Sequence, residues 1–298
     1  MIAIDHVSRK FGAVRALDDV TLRIGDGERV AFVGVNGSGK TTLLRAMVGL
    51  LPVGGQVTID GAAAAGGGAQ ALANVAYIPQ IAPPIEAPAG EVVRAFCDLR
   101  GIDVAEVTTL AAQFGVSLSA VARTRFRDLS GGTKQKTLAA LALAARPKIL
   151  VCDEPTANLD PAARAAFFAH VANRPADSTL VLCSHRTEEV LHLVDRAVEL
   201  REGKVVRDVA LTELRQTLRA WRLEVDLKAP DATVHHWLTE QGFVASDPLR
   251  WGRPCTHDEK LTLTAGLFGR HAGAVADFRV VAGKELALHD AAPLEGAT

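Results

Sequence analysis

Alternation of apolar and polar residues opens the chain, in IAIDHVS and then VTLRI, and gives way to RVAFVG, a short apolar run ending in glycine. A side-chain period of two belongs to a strand with one buried face, so these segments predict sheet. Two later runs, KILVCDEP (Lys148 to Pro155) and STLVLCSH (Ser178 to His185), are apolar almost throughout. Strands buried on both faces of a parallel sheet read this way. Between them PAARAAFFAHVANR carries Ala165, Phe168, Ala169 and Ala172 at helical spacing, and strand, helix and strand at this length predict a βαβ unit. AAAAGGGAQ (Ala62 to Gln70) has the composition of a flexible connector. From about Glu91 to Arg127 the pattern turns helical without strands, which predicts a helical subdomain over about residues 85–146. After AVELREGKVVRDVA the character changes again. WRLEVDLK, TVHHWLTEQG, LTLTAGLFGRHAG and VADFRVV read as strand, helix, helix and strand, with another strand around Leu249 to Cys255. The expected organisation is an α/β domain over residues 1–208, followed by a small α+β accessory domain over residues 209–298, with no internal repeat.

Composition narrows the function more than the fold. Among 298 residues, 48% are hydrophobic and the formal charge is −1, so nothing in the charge balance points to DNA, RNA or an anionic membrane, and no nucleic-acid partner is expected. The most apolar run, Leu138 to Ala145, stops at Arg146-Pro147, short of the roughly 20 residues that cross a bilayer. MIAIDHVSRKFG places acids and bases early, without an apolar signal core, which predicts a cytoplasmic protein. Cys97, Cys152, Cys183 and Cys255 show no CxxC spacing, and two of them lie inside predicted buried strands, so all four read as reduced thiols.

One stretch carries specific chemistry. GVNGSGKTT (Gly34 to Thr42) has glycine, four residues, Gly39, Lys40 and Thr41, between the strand RVAFVG and the helix TTLLRAMVG. That is the P-loop pattern in its proper context. Glycines let the backbone curl with its N–H groups inward around phosphate, Lys40 neutralises the β- and γ-phosphates, and the Thr41 hydroxyl ligates Mg2+. Gly34, Asn36, Gly37, Ser38, Gly39, Lys40, Thr41 and Thr42 are thus the candidate phosphate-binding residues. Mg2+ also wants a carboxylate nearby, and ILVCDEP supplies Asp153 at the end of a buried strand, with Glu154 beside it to polarise an attacking water.

LSGGTKQK (Leu129 to Lys136) is a second anion-binding turn, two glycines behind a serine at the start of a predicted helix. P-loop, LSGGTKQK and ILVCDEP, in that order, resemble the nucleotide-binding subunit of ABC transporters, and LSGG discriminates best because other P-loop ATPases lack it. The resemblance covers about residues 1 to 205. It implies a P-loop NTPase fold that binds ATP with Mg2+ and hydrolyses it. Under it Phe11 takes the place of the aromatic that stacks on adenine. Gln80, closing VAYIPQ, matches the glutamine that contacts Mg2+ and the attacking water. Asp160 in ANLD matches the D-loop, and His185 matches the switch histidine at the γ-phosphate. Taken singly, each has a plainer reading: core aromatic, surface glutamine, helix N-cap before Pro161, structural histidine. Thr133 stands where many relatives have glutamine, and Gln135 follows two residues on.

The resemblance also implies assembly. Ser130, Gly131 and Gly132 close over the ATP of a partner, so the expected state is a homodimer with ATP at its interface. It docks beneath an integral membrane permease, peripheral on the inner face of the cell membrane. The flavour of NGSGKTTLLRAMVGLL, SGGTKQK and DEPTANLDP, and the α+β tail, resemble ABC-2 type exporters and the copper-processing complex of nitrous oxide reductase maturation. Cys255 and His257 in PCTHDEK are the only residues that suggest copper. The alternative is a soluble ABC ATPase acting on ribosomes or DNA, against which stand the single P-loop and the lack of a heptad run. A small-molecule P-loop kinase leaves LSGG and the tail unexplained.

Overall fold

The computed structural model describes residues 1–65, 69–184, 193–211, 221–255 and 257–282. The chain divides into two units, Met1–Leu211 and Thr212–Thr298.

In the first unit, β1 (Ile2–Phe11), β2 (Val14–Ile24), β4 (Gly54–Ile59) and β5 (Ala62–Ala63) form an antiparallel sheet in the order β2-β1-β4-β5. A second sheet of β3 (Arg29–Val33), β6 (Val75–Ile78), β7 (Ile149–Asp153), β8 (Thr179–Cys183), β9 (Arg196–Arg201) and β10 (Lys204–Ala210) runs β10-β9-β3-β8-β7-β6. All its pairings are parallel except β9 with β10. β7 and β8 are buried at every position, as strands covered on both faces must be. Helix α1 (Lys40–Met47) follows β3, and its Leu43, Leu44 and Met47 share one core with Ile4 and Val57 of the first sheet and Val151 and Val181 of the second. Burying side chains of this size contributes about 1.5–3 kcal/mol each, so this core fixes where the end of β3 meets the start of α1.

The connector is more ordered than its composition implies. Ala62 and Ala63 pair with β4, Ala64 is buried, and α2 (Ala69–Leu72) follows; residues 66–68 lie outside the described residues. The helical region comprises α3 (Ala89–Arg100), α4 (Val104–Gln113), α5 (Leu118–Val121) and α6 (Gly131–Ala144). Asp103 caps α4 by accepting from the Ala105 amide at 2.8 Å, and Gly101 ends α3 in the left-handed conformation only glycine adopts freely. In α7 (Pro161–Ala172) the buried face is Ala163, Phe167 and Val171, and Ala165, Phe168, Ala169 and Ala172, read at helical spacing, lie off it. PAARAAFFAHVA is apolar nearly all round, so its periodicity does not choose a face; the packing of Phe167 does.

The second unit holds β11 (Trp221–Leu227), α8 (Ala232–Glu240), β12 (Val244–Asp247), β13 (Arg250–Cys255), α9 (His257–His271) and β14 (Val275–Ala282). Its sheet runs β12-β13-β11-β14 with every pair antiparallel. This is the split βαβ arrangement of ferredoxin-like domains. β12 escapes the sequence pattern because VASD is short and exposed at all four positions. Leu223, Val225, Trp237, Leu238 and Leu267 form the core of the unit. Cys255 belongs to that core and is fully buried, so its thiol faces apolar side chains, and the side chain of His257 lies outside the described residues. All four cysteines are free and buried.

Candidate functional site

Four parallel strands deliver the predicted residues to one edge of the second sheet. β3 runs into Gly34 and the loop, β6 into Gln80, β7 into Asp153 and Glu154, and β8 ends at Cys183. The carboxyl ends of parallel strands are where α/β sheets bind ligands.

The loop from Gly34 to Gly39 is held from outside. Gly39 caps α1 at φ 108°, and a Cβ there would sit 2.4 Å from the Ala16 carbonyl of β2. Gly34, at φ 139°, lies so near β9 that a Cβ would meet the Leu200 carbonyl at 2.2 Å. Both positions therefore demand glycine for space as well as for dihedral. The Gly203 amide in the β9–β10 turn donates to the Ser38 carbonyl at 3.0 Å, and the Asp18 amide donates to the Gly203 carbonyl at 2.9 Å. Gly34→Ala is expected to cost about 2–4 kcal/mol through strained dihedral and backbone overlap. Its melting temperature measures this, and a wild-type value would show that β9 yields.

Lys40 opens α1 with its amine folded back on the loop. Nζ donates to the carbonyls of Gly34 at 2.7 Å and Val35 at 3.0 Å, and to Ser38 Oγ at 3.4 Å. The first turn of α1 carries no acidic residue, so its N–H groups and dipole favour an anion. A cavity of about 430 Å³ opens here, lined by Asn36, Gly37, Gly39, Lys40, Thr41, Thr42, Gln80 and Glu154, with Val14, Ala16 and Cys183.

Behind the cavity Thr41 Oγ1 donates to Asp153 Oδ1 at 3.1 Å, and the Tyr77 hydroxyl donates to Oδ2 at 3.4 Å. Burial raises the Asp153 carboxyl above the usual carboxylate range, against the pull of these two hydrogen bonds and of the Arg45 charge. Burial, and then the Asp153 charge, push the Tyr77 phenol up to about 12, so it stays protonated and donates. A carboxylate costly to keep ionised, beside a hydroxyl oxygen, is a hard-oxygen donor pair that a divalent cation relieves, and Mg2+ completes such a shell with phosphate and water. The residues fit that ion. Glu154 has φ 49°, a conformation uncommon outside glycine. Its amide donates to the Cys183 carbonyl at 2.9 Å, fixing a turn from which its side chain lines the cavity.

The structure does not gather every candidate here. Phe11 ends β1 half exposed, with the Arg9 guanidinium 4.9 Å from its ring centroid, and Val14 and Ala16 line the cavity from that hairpin instead. Asp160 caps α7, accepting from the Ala163 amide at 2.9 Å, and pairs with Lys136; both contacts hold its carboxyl below the usual range, Lys136 first. Ser130 caps α6 by accepting from the Thr133 amide at 3.1 Å. Ser130, Gly131 and Gly132 do not line the cavity, and Ser130 and Gly131 are exposed. His185 lies outside the described residues. Sequence reasoning missed Tyr77 and Cys183. For Tyr77 a signal existed: it is the one polar-tipped side chain in β6, and its parallel partner Val151 stands two residues before Asp153.

Residues 17–157 match the family model for ABC transporters. A methionine import ATP-binding protein of Caulobacter vibrioides is 36% identical over 228 residues, covering 72% of this chain and 68% of that protein. A sulfate/thiosulfate import ATP-binding protein of Rhodopseudomonas palustris is 33% identical over 68% of this chain and 61% of its own length. A putative ABC transporter ATP-binding protein of Halobacterium salinarum is 33% identical over 69% of this chain and 91% of its own. Among solved structures, an ATP-binding subunit of an ABC transporter superposes with TM-score 0.64 at 27% identity, over 73% of this chain and 92% of that one. An ATP-binding cassette described as dimeric, post-hydrolysis and bound to ADP and Pi superposes with TM-score 0.59 at 25% identity, over 71% and 99%.

Proposed function

Because this chain belongs to the family of ABC transporter ATP-binding subunits, we propose that it hydrolyses ATP as a homodimer and thereby powers a separate membrane permease, bound to it at the inner face of the membrane. The P-loop amides and Lys40 hold the phosphates, and Phe11 offers its exposed ring to the adenine. Thr41, Asp153 and Gln80 would hold Mg2+, which would supply positive charge to stabilise the phosphates. Glu154 accepts a proton from the water whose oxygen bonds to the γ-phosphorus while the bond to the bridging oxygen breaks and ADP leaves. His185 contacts the γ-phosphate in this reading.

The observation that carries the proposal is the composition of the cavity, which draws on four strand ends yet takes nothing from Ser130–Gly132. An exposed, capped turn built for an anion makes sense when it closes on the nucleotide of a second copy. Mixing tests this. Lys40→Ala and Ser130→Arg chains, each inactive alone, should recover ATPase activity when combined, since heterodimers hold one complete site. No recovery at any ratio would sink the shared site.

Direction and cargo are not part of the proposal. Two relatives named above are import proteins, so the ABC-2 exporter branch draws no support from them. Copper is likewise not part of the proposal: Cys255 is buried among apolar side chains of its unit, and the two import relatives are named for other substrates. No helix among the described residues is long and apolar enough to cross a membrane.

A further inference from the structure

Gln135 is the most deeply buried polar side chain of α6 after Thr137, with 1% of its surface exposed. Its Nε2 donates twice, to the Pro79 carbonyl at 3.1 Å and to the Pro155 carbonyl at 3.2 Å. Pro79 immediately precedes Gln80, and Pro155 immediately follows Glu154. One amide group thus spends both of its hydrogens on the backbones that aim two cavity-lining side chains. Neither proline has an N–H of its own to fix its segment, so the carbonyls are the available handles. The rest of the start of α6 touches the neighbouring loop: a Cβ at Gly132 would lie 3.0 Å from the Asn158 carbonyl, and Lys136 pairs with Asp160.

We propose that Gln135 is a positioning residue that ties the helix behind the Ser130–Gly132 turn to the backbones carrying Gln80 and Glu154. Resting on the proposed shared site, it lets a partner's nucleotide engaging that turn set the catalytic geometry of this chain's own site. A helix moves as a rod, and Gln135 lies five residues along from Ser130, so a small displacement of the turn reaches both loops at once. The two active sites of the dimer are coupled through one side chain in each protomer.

The test uses the full chain with Gln135→Glu, which presents oxygen to both carbonyls, and Gln135→Met, which has similar length and no donor. Expected is a fall in kcat of at least about tenfold, with KM for ATP and affinity for a fluorescent ATP analogue within about threefold of wild type. Hydrogen exchange without nucleotide should rise in peptides spanning residues 79–82 and 154–158 and stay unchanged in α1. Wild-type kcat in either folded variant overturns the proposal, as does a loss of affinity that merely follows a loss of thermal stability. Should neither variant fold, wild-type exchange decides: protection of both loops comparable to α6 supports the anchor, and fast exchange of both overturns it. A wild-type chain without ATPase activity would instead remove the proposed function, while the exchange result still decides what Gln135 anchors.

Discussion

Lys40→Ala is expected to lower ATP turnover by at least about 10²- to 10³-fold, the scale on which a preorganised donor to developing negative charge acts. Lys40 is nine-tenths buried, and its amine donates to the loop's own oxygens, Gly34 and Val35 among them. Lys40 also lines the cavity, so under the proposed function the side chain has two tasks: it braces the loop through two carbonyls and neutralises the nucleotide. Alanine removes both, so the assay needs a control for the first. Lys40→Arg keeps the charge and donor capacity but imposes a planar fork on a site shaped for a point charge. It should restore part of the thermal stability and little of the turnover. Normal turnover in the alanine variant would refute the site assignment.

The second large effect is expected from Glu154→Gln. A general base contributes about 10²- to 10⁴-fold, and glutamine keeps the size of the side chain while losing its capacity to take a proton. The backbone at φ 49° is no worse for glutamine than for glutamate, so the Cys183-anchored turn should survive. ATP then binds and stays, and light scattering should find a dimer with ATP that returns to monomer with ADP. A strictly monomeric profile with ATP would count against the shared site. Because this variant preserves binding and Lys40→Ala does not, the pair separates holding the nucleotide from breaking it.

Much of this site could be read from residue order. GVNGSGKTT and ILVCDEP name their chemistry because phosphate and a hard cation tolerate few alternatives, and the buried runs of β7 and β8 announce a parallel sheet. Less legible were features that depend on distant backbone. Nothing near Gly34 tells of Leu200, and nothing near Asp153 tells of Tyr77. α7 shows the limit of periodicity, since a helix apolar on all sides leaves the choice of buried face to its neighbours. Asp160 shows the limit of motif matching, because N-cap and D-loop readings use the same carboxylate and the geometry within one chain displays only the first.

The brackets around the P-loop have a consequence for how this chain can vary. Ala16 and Leu200 crowd the loop with carbonyl oxygens, and Gly203 holds it through its amide. These are main-chain atoms; any residue type supplies the two carbonyls, while position 203, at φ 78° and close to the Ala16 carbonyl, calls for glycine. An exchange of side chain at position 200 thus leaves the Leu200 carbonyl contact in place, whereas Ala16 itself also lines the cavity. A single residue gained or lost in either hairpin would slide the oxygens out of register and disturb the loop as badly as a change within it. For this loop, the length of two hairpins distant in sequence matters as directly as the loop's own residues.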